Sequence, residues 1–220
     1  MTSKYFHRDP DHNFETIHQY DPTMQFYGES WSLRPLPPRP LWSFQPQMFT
    51  WQECQWIIVL GERLGPKRAT LMHNTVDDKT RKSFTSWIAP SKYSEWIYKK
   101  ITDYALEHNE RYFQYDLDVI EKIQFTKYVD SEKGFYGTHI DSFDYAGHEN
   151  RKLSLSIQLS DPIEYEGGDV VLKPAGKDLA MEKDLGMGIF FPSHTPHEVK
   201  PVTKGTRYSL VVWFLGKNMR

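Results

Sequence analysis

The feature that most limits what this chain can fold into is a change of hydrophobic period near residue 120. Beyond it, apolar side chains recur at every second position: Ile123 and Phe125, then Leu153, Leu155, Ile157 and Leu159, then Val170 and Leu172, and finally Tyr208, Leu210, Val212 and Phe214. Successive side chains of a strand point to opposite faces, so this alternation predicts strands that each bury one apolar face. The strands are short and punctuated by Gly, Asp and Pro, which predicts a sandwich or barrel over residues 121–216.

Upstream the period is helical. Thr50 and Glu53 form a capping box ahead of Cys54, Ile57, Ile58 and Leu64, and Gly65-Pro66 ends that helix. Trp96, Ile97, Ile101, Tyr104 and Ala105 lie on one stripe of period 3.6, which predicts a second helix over residues 92–108. The fold class that follows is α+β, with helices packed on one side of the β core. Residues 1–46 differ again. The prolines of residues 34–40 forbid a helix and favour extended geometry, and Trp31, Trp42 and Phe44 are interleaved with them. They read as an arm or lid on a single domain of residues 47–220, whose helical support is residues 47–120.

Charge and cysteine content narrow the function. With 27 Lys and Arg against 29 Asp and Glu and a pI near 6.5, the chain lacks the electrostatic footprint of a nucleic-acid or anionic-membrane binder. Its lone Cys54 cannot make an internal disulfide and reads as a small core residue. Residues 1–7 contain no apolar signal core, and the longest apolar run, residues 56–60, is too short to span a bilayer. A soluble, cytoplasmic protein is expected, and nothing in the sequence fixes its oligomeric state.

Chemistry is concentrated in the β half. In the stretch from Tyr136 through Gly137 and Thr138 to His139, Ile140 and Asp141, a His and an Asp stand two residues apart. On an extended strand they project to the same face, and with one more His they make the facial triad that leaves positions open on iron(II). The spacing alone is weak, since His7 and Asp9 repeat it in the arm. The third ligand comes from His197 or His194. His197 precedes Arg207 by ten residues, and Arg207 offers a planar, permanently charged fork suited to a carboxylate. Gly205 near the bend predicts a hairpin that makes the strand of Arg207 adjacent to that of His197. Arg81, Lys82 and Arg111 read as surface cations, and Asp144 and His148 as loop residues.

These residues carry a resemblance. The chain resembles the prolyl 4-hydroxylase-like branch of the Fe(II)/2-oxoglutarate dioxygenases, in particular the PKHD-type hydroxylases of bacteria and phages, over residues 49–214. The resemblance rests on Tyr128, residues 134–141, residues 151–156, residues 159–162, residues 165–169 and the block from His197 to Arg207. It implies a double-stranded β-helix, or jelly roll, and iron held by His139, Asp141 and His197. It further implies 2-oxoglutarate anchored by Arg207 and flanked by Tyr128, with O2 as cosubstrate and ascorbate as an accessory reductant. Two departures stand out. The interval from Tyr128 to His139 is one residue longer than usual, and Gln158 occupies the place of a pocket tyrosine. Tyr136, Arg151 and Trp213 are expected at the substrate pocket. The implied substrate is a prolyl or other amino-acid side chain in a peptide or protein, or a free amino acid. A non-catalytic jelly-roll module with a structural metal is the rival reading, and oxidative demethylation of nucleic acid a third that the near-neutral charge disfavours.

Overall fold

The computed structural model describes residues 26–27, 30–31, 40–70, 75–142 and 150–217. Contacts divide the chain into two units, residues 1–39 and 40–220. In the first, strands β1 (Phe26–Tyr27) and β2 (Ser30–Trp31) pair antiparallel. Most of the proline-rich arm, His7 and Asp9 with it, lies outside the described residues, and so do Asp144 and His148.

The second unit opens with β3 (Ser43–Gln45) and α1 (Trp51–Arg63). The capping box is formed: the Glu53 backbone N–H donates to Thr50 Oγ1, and the Thr50 N–H donates to Glu53 Oε2 at 2.7 Å. After α1 come three strands, β4 (Lys67–Arg68), β5 (Arg81–Lys82) and β6 (Phe84–Ile88), in a stretch read from sequence as helical support. They escaped the period-two reading because the first two are only two residues long and β6 breaks its alternation with Ser86 inward. Helix α2 (Glu95–His108) starts three residues later than predicted, since Ser91 and Ser94 form a hydrogen-bonded turn before it.

The β core follows as β7 (Val119–Ile120), β8 (Ile123–Val129), β9 (Phe135–His139), β10 (Asn150–Gln158), β11 (Tyr165–Gly167), β12 (Val170–Leu172), β13 (Leu179–Ala180), β14 (Gly188–Pro192), β15 (His197–Val199) and β16 (Val202–Gly216). Two antiparallel sheets result. The major sheet runs β3-β14-β10-β16-β8-β6-β4, with β7 and β11 also paired to β16; the minor sheet runs β13-β12-β15-β9-β5. This is the expected jelly-roll arrangement with its helices on one side.

The alternation sorts the major sheet as predicted. Leu153, Leu155 and Ile157 on β10, Leu210, Val212 and Phe214 on β16, and Ile123 and Phe125 on β8 join Ile57, Ile97 and Ile101 of the helices in one apolar core. A smaller cluster, Val170, Leu172, Ile189 and Phe191 with Met187, binds the two sheets together. The other face of β10 is not solvated: Ser154, Ser156 and Gln158 are all buried, looking into the space between the sheets. Cys54 sits in the main core, where burial pushes its thiol up to about 12, far from a nucleophile's range. Among the described residues no helix is long and apolar enough to cross a membrane.

One topological expectation fails. β15 and β16 do not form a hairpin: β15 pairs with β9 and β12 in the minor sheet, whereas β16 lies between β8 and β10 in the major sheet. The chain changes sheets at Lys200 and Pro201, where proline cannot donate to a ladder. Gly205 is not at a turn but inside β16, at φ +72°, where an added Cβ would stand 2.3 Å from the carbonyl oxygen of Glu164. His197 and Arg207 therefore face each other from opposite sheets.

Because the capping box anchors the helix that roofs the main core, Thr50→Ala is expected to lower unfolding free energy by about 1 kcal/mol and Thr50→Ser to restore most of it. Chemical denaturation of the three proteins measures this, and an unchanged midpoint for Thr50→Ala contradicts it.

Candidate metal centre

The site begins with a register. In the antiparallel pair β9–β15, His139 stands directly opposite His197. Cross-strand partners project to the same face, and here their rings lie 4.2 Å apart between centroids. Two residues past His139, Asp141 turns inward as the strand ends. Its backbone N–H, and that of Ser142, donate to the carbonyl of Ser193 at 2.9 and 3.0 Å. One ligand atom from each of His139, Asp141 and His197 lies within 4.8 Å of the others. His197 Nε2 is 3.5 Å from Asp141 Oδ2, and His139 Nε2 is 3.7 Å from Asp141 Oδ1.

Hydrogen bonds fix the state of each ligand. His139 Nδ1 is 2.8 Å from the Gly137 carbonyl and His197 Nδ1 is 2.9 Å from the Thr195 carbonyl. A carbonyl only accepts, so each Nδ1 carries the proton and each Nε2 presents a lone pair to the shared point. Burial, reinforced by the adjoining His197, pushes His139 down to about 4, against the opposing pull of Asp141. The ring is thus neutral at physiological pH, the form that binds a metal. Asp141 Oδ2 accepts from Ser154 Oγ at 2.8 Å. Ser154 has then spent its proton, so the 2.9 Å contact with Ser193 Oγ is donated by Ser193. Two imidazoles and one carboxylate, all on one side of a cavity, are the donor set of an open iron(II) site.

The cavity measures about 560 Å³ and lies between the sheets, within the range of small-ligand sites. From the major sheet, Tyr128, Ser156, Arg207, Ser209 and Trp213 line it; from the minor sheet, Arg81, Tyr136, His139 and His197 do. Arg207 is 1% exposed. Its Nε donates to Gln158 Oε1 at 3.1 Å and its Nη1 reaches Ser209 Oγ at 3.4 Å, while its buried Nη2 has no partner. Its guanidinium lies 5.5 Å from the ring centroid of Tyr128, its cross-strand neighbour. A buried, unsatisfied N–H on a fixed cation, facing the triad across a cavity, fits the distal carboxylate of 2-oxoglutarate. Gly168 makes room for it: at φ +65°, its Cβ position is only 2.8 Å from Arg207 Cδ.

The structure places the remaining residues singled out from sequence as follows. Tyr136 stacks on the His139 ring at 3.6 Å, with burial pushing its hydroxyl pKa up. Arg151 is held by both oxygens of Glu121, at 2.6 and 2.8 Å, and its guanidinium covers Trp213 at 3.6 Å. Trp213 walls the cavity, and its Nε1 has no hydrogen-bond partner. Gln158 is not among the residues lining the cavity: its Oε1 accepts from Arg207 Nε, and its Nε2 is buried with no hydrogen-bond partner. His194 is exposed and apart from the triad. Between Tyr128 and His139 the chain makes a 3-10 turn at Asp130–Glu132, closed by Lys133 at φ 50°. Arg81 is no surface cation, being 6% exposed and part of the cavity wall. The sequence reading also missed Ser193, which no periodicity marks.

Comparison with known proteins agrees with this geometry. The profile of the 2OG-Fe(II) oxygenase superfamily matches residues 123–215. A PKHD-type hydroxylase of Gloeothece citriformis is 40% identical over 96 residues, covering 43% of this chain and 42% of that protein. One of Colwellia psychrerythraea is 35% identical over 82 residues, covering 36% and 37%. The chain thus spans less than half the length of the curated relatives it matches. Among solved structures, a prolyl-4-hydroxylase of Pseudomonas putida superposes with TM-score 0.66 at 21% identity, over 81% of this chain and 94% of that one. A prolyl hydroxylase of Trichoplax adhaerens, in complex with a hypoxia inducible factor oxygen degradation domain peptide fragment, gives TM-score 0.68 at 20% identity, over 80% and 83%. These two likenesses concern the fold. Residues 123–215, which carry the His-Asp-His set, are thus similar to the 2OG-Fe(II) oxygenase superfamily, and the jelly roll agrees with that likeness. Iron(II), 2-oxoglutarate and O2 are what that family implies.

Ser154 is not one of the three donors, yet its hydroxyl fixes the Asp141 carboxylate. Ser154→Ala is expected to weaken Mn(II) binding about ten- to a hundredfold. Calorimetric titration of the metal-free protein measures the effect, and wild-type affinity in the variant contradicts it.

Proposed function

We propose that this protein is an Fe(II)/2-oxoglutarate-dependent hydroxylase acting on an aliphatic C–H bond of a prolyl or other amino-acid residue, in a peptide or as the free amino acid. The observation that carries the reading is the placement of the His139, Asp141 and His197 donors on one sheet and the unsatisfied Arg207 guanidinium on the other, across one cavity. When bound, iron(II) with 2-oxoglutarate and O2 supplies the oxidising power, with succinate and CO2 released as the C–H bond is hydroxylated. Everything else is the work of this chain's own groups.

His139, Asp141 and His197 hold the metal from one side, leaving the cavity side for ligands. Arg207 takes the distal carboxylate of 2-oxoglutarate, with Gln158 holding its Nε and Tyr128 beneath its plane. Tyr136, Arg151 and Trp213 bound the part of the cavity left to the substrate. Trp213 offers an indole N–H to a substrate carbonyl, and Tyr136 a hydroxyl kept protonated by burial. Holding one carbon against the oxidant and keeping bulk water from the apolar wall of Val170, Phe191 and Val199 is the protein's geometric share. A buried free thiol and an iron(II) centre both belong to a reducing, cytoplasmic setting.

The test is a succinate-release screen of peptides and free amino acids with iron(II), ascorbate and O2, read by mass for a hydroxylated product. Hydroxylation dependent on 2-oxoglutarate is expected, with Arg207→Met raising the Kd for 2-oxoglutarate about a hundredfold. Undiminished 2-oxoglutarate binding in Arg207→Met, or succinate release by His139→Ala equal to wild type, removes the reading.

A further inference from the structure

Besides Arg207 and the Glu121-paired Arg151, the cavity wall holds a third guanidinium, on the opposite sheet from Arg207. Arg81 opens β5, at the edge of the minor sheet, and is 6% exposed, whereas arginine is almost never so buried without a partner. Its Nε donates to Ser83 Oγ at 2.8 Å. Its plane lies over the ring of Tyr136 at 4.4 Å, and that ring in turn stacks on His139 at 3.6 Å. A single aromatic ring thus separates the guanidinium from a metal ligand. Its Nη2 is buried with no hydrogen-bond partner, and among the described residues no carboxylate forms an ion pair with it.

A buried cation without a counter-charge is costly, and charges inside proteins are paired or ligand-bound. The other charges of the proposed site are balanced. Asp141 and the two carboxylates of 2-oxoglutarate offset iron(II) and Arg207, and Glu121 offsets Arg151. Arg81 is the cation left over. Resting on the hydroxylase reading above, we propose that Arg81 binds a carboxylate of the substrate itself, so that this enzyme selects amino-acid or peptide substrates with an acidic group close to the carbon to be oxidised. The planar fork of arginine suits a carboxylate held through Nη2. That carboxylate belongs either to a free amino acid or chain terminus, or to an acidic side chain beside the target residue. Both present the same group, and the probes below separate them.

The experiment uses protein loaded with Mn(II), which binds without turning over, and 2-oxoglutarate. Binding is followed by the broadening that the paramagnetic ion imposes on probe proton resonances. One probe set is a panel of free amino acids, proline included, against their amides; the other is capped peptides with aspartate beside the central residue against the same peptides with asparagine. The expected result is that the best-bound probes carry the carboxylate, and that amidation, the asparagine exchange or Arg81→Gln each weakens binding about tenfold or more. Arg81→Lys is expected to keep part of the preference. If amides bind the wild type as well as acids, if no acid binds, or if Arg81→Gln binds acids as the wild type does, the inference is wrong. The affinity for 2-oxoglutarate is measured alongside: Arg81→Gln leaves it unchanged in this account. A loss there assigns Arg81 to the cosubstrate and overturns the inference while leaving the hydroxylase reading intact.

Discussion

Everything at the site depends on one cross-strand pairing, His139 opposite His197 in the minor sheet. Because a strand's side-chain period is two, a slip of one residue on either side would turn one imidazole away from the cavity. The pairing is locked by its surroundings rather than by its own few ladder bonds. Asp141 is tied through backbone and side chain to the segment carrying His197, by way of the Ser193 carbonyl and the hydroxyl chain from Ser193 to Ser154. The three donor side chains are therefore held even where β15 is only three residues long.

The opposing sheet answers a second physical demand. A polar face buried between two sheets must satisfy its own groups, and most of it does so internally. Ser154 serves Asp141, and Gln158 and Ser209 serve Arg207. What is left over is informative. Among the described residues, the unsatisfied Nη2 of Arg207, Nη2 of Arg81 and Nε1 of Trp213 belong to residues of one cavity, and Gln158 Nε2 beside Arg207 is unsatisfied too, which is the pattern a ligand-binding cavity would show.

Much of this was legible in the sequence because it is periodic. The alternation over β8, β10 and β16 announced the apolar core, and the Thr50–Glu53 pair announced α1. His139 and Asp141 were readable as a same-face pair, and His197 by its distance from Arg207. What escaped was what pairing alone decides. A hairpin and a change of sheet look alike in sequence, so His197 and Arg207 were placed on adjacent strands when they face each other across the cavity. Arg81 sits on a strand of two residues, too short to show a period, and its burial comes wholly from tertiary neighbours such as Tyr136.

The central claim is that one cavity binds a metal on the minor sheet and 2-oxoglutarate between that metal and the major sheet. Crystals grown with Mn(II) and 2-oxoglutarate test it most directly, through the anomalous signal of manganese and the density of the oxoacid. The account predicts a single strong anomalous peak among His139 Nε2, Asp141 and His197 Nε2, with the distal carboxylate of 2-oxoglutarate on Arg207. A peak elsewhere, or an oxoacid whose distal carboxylate lies away from Arg207, contradicts it.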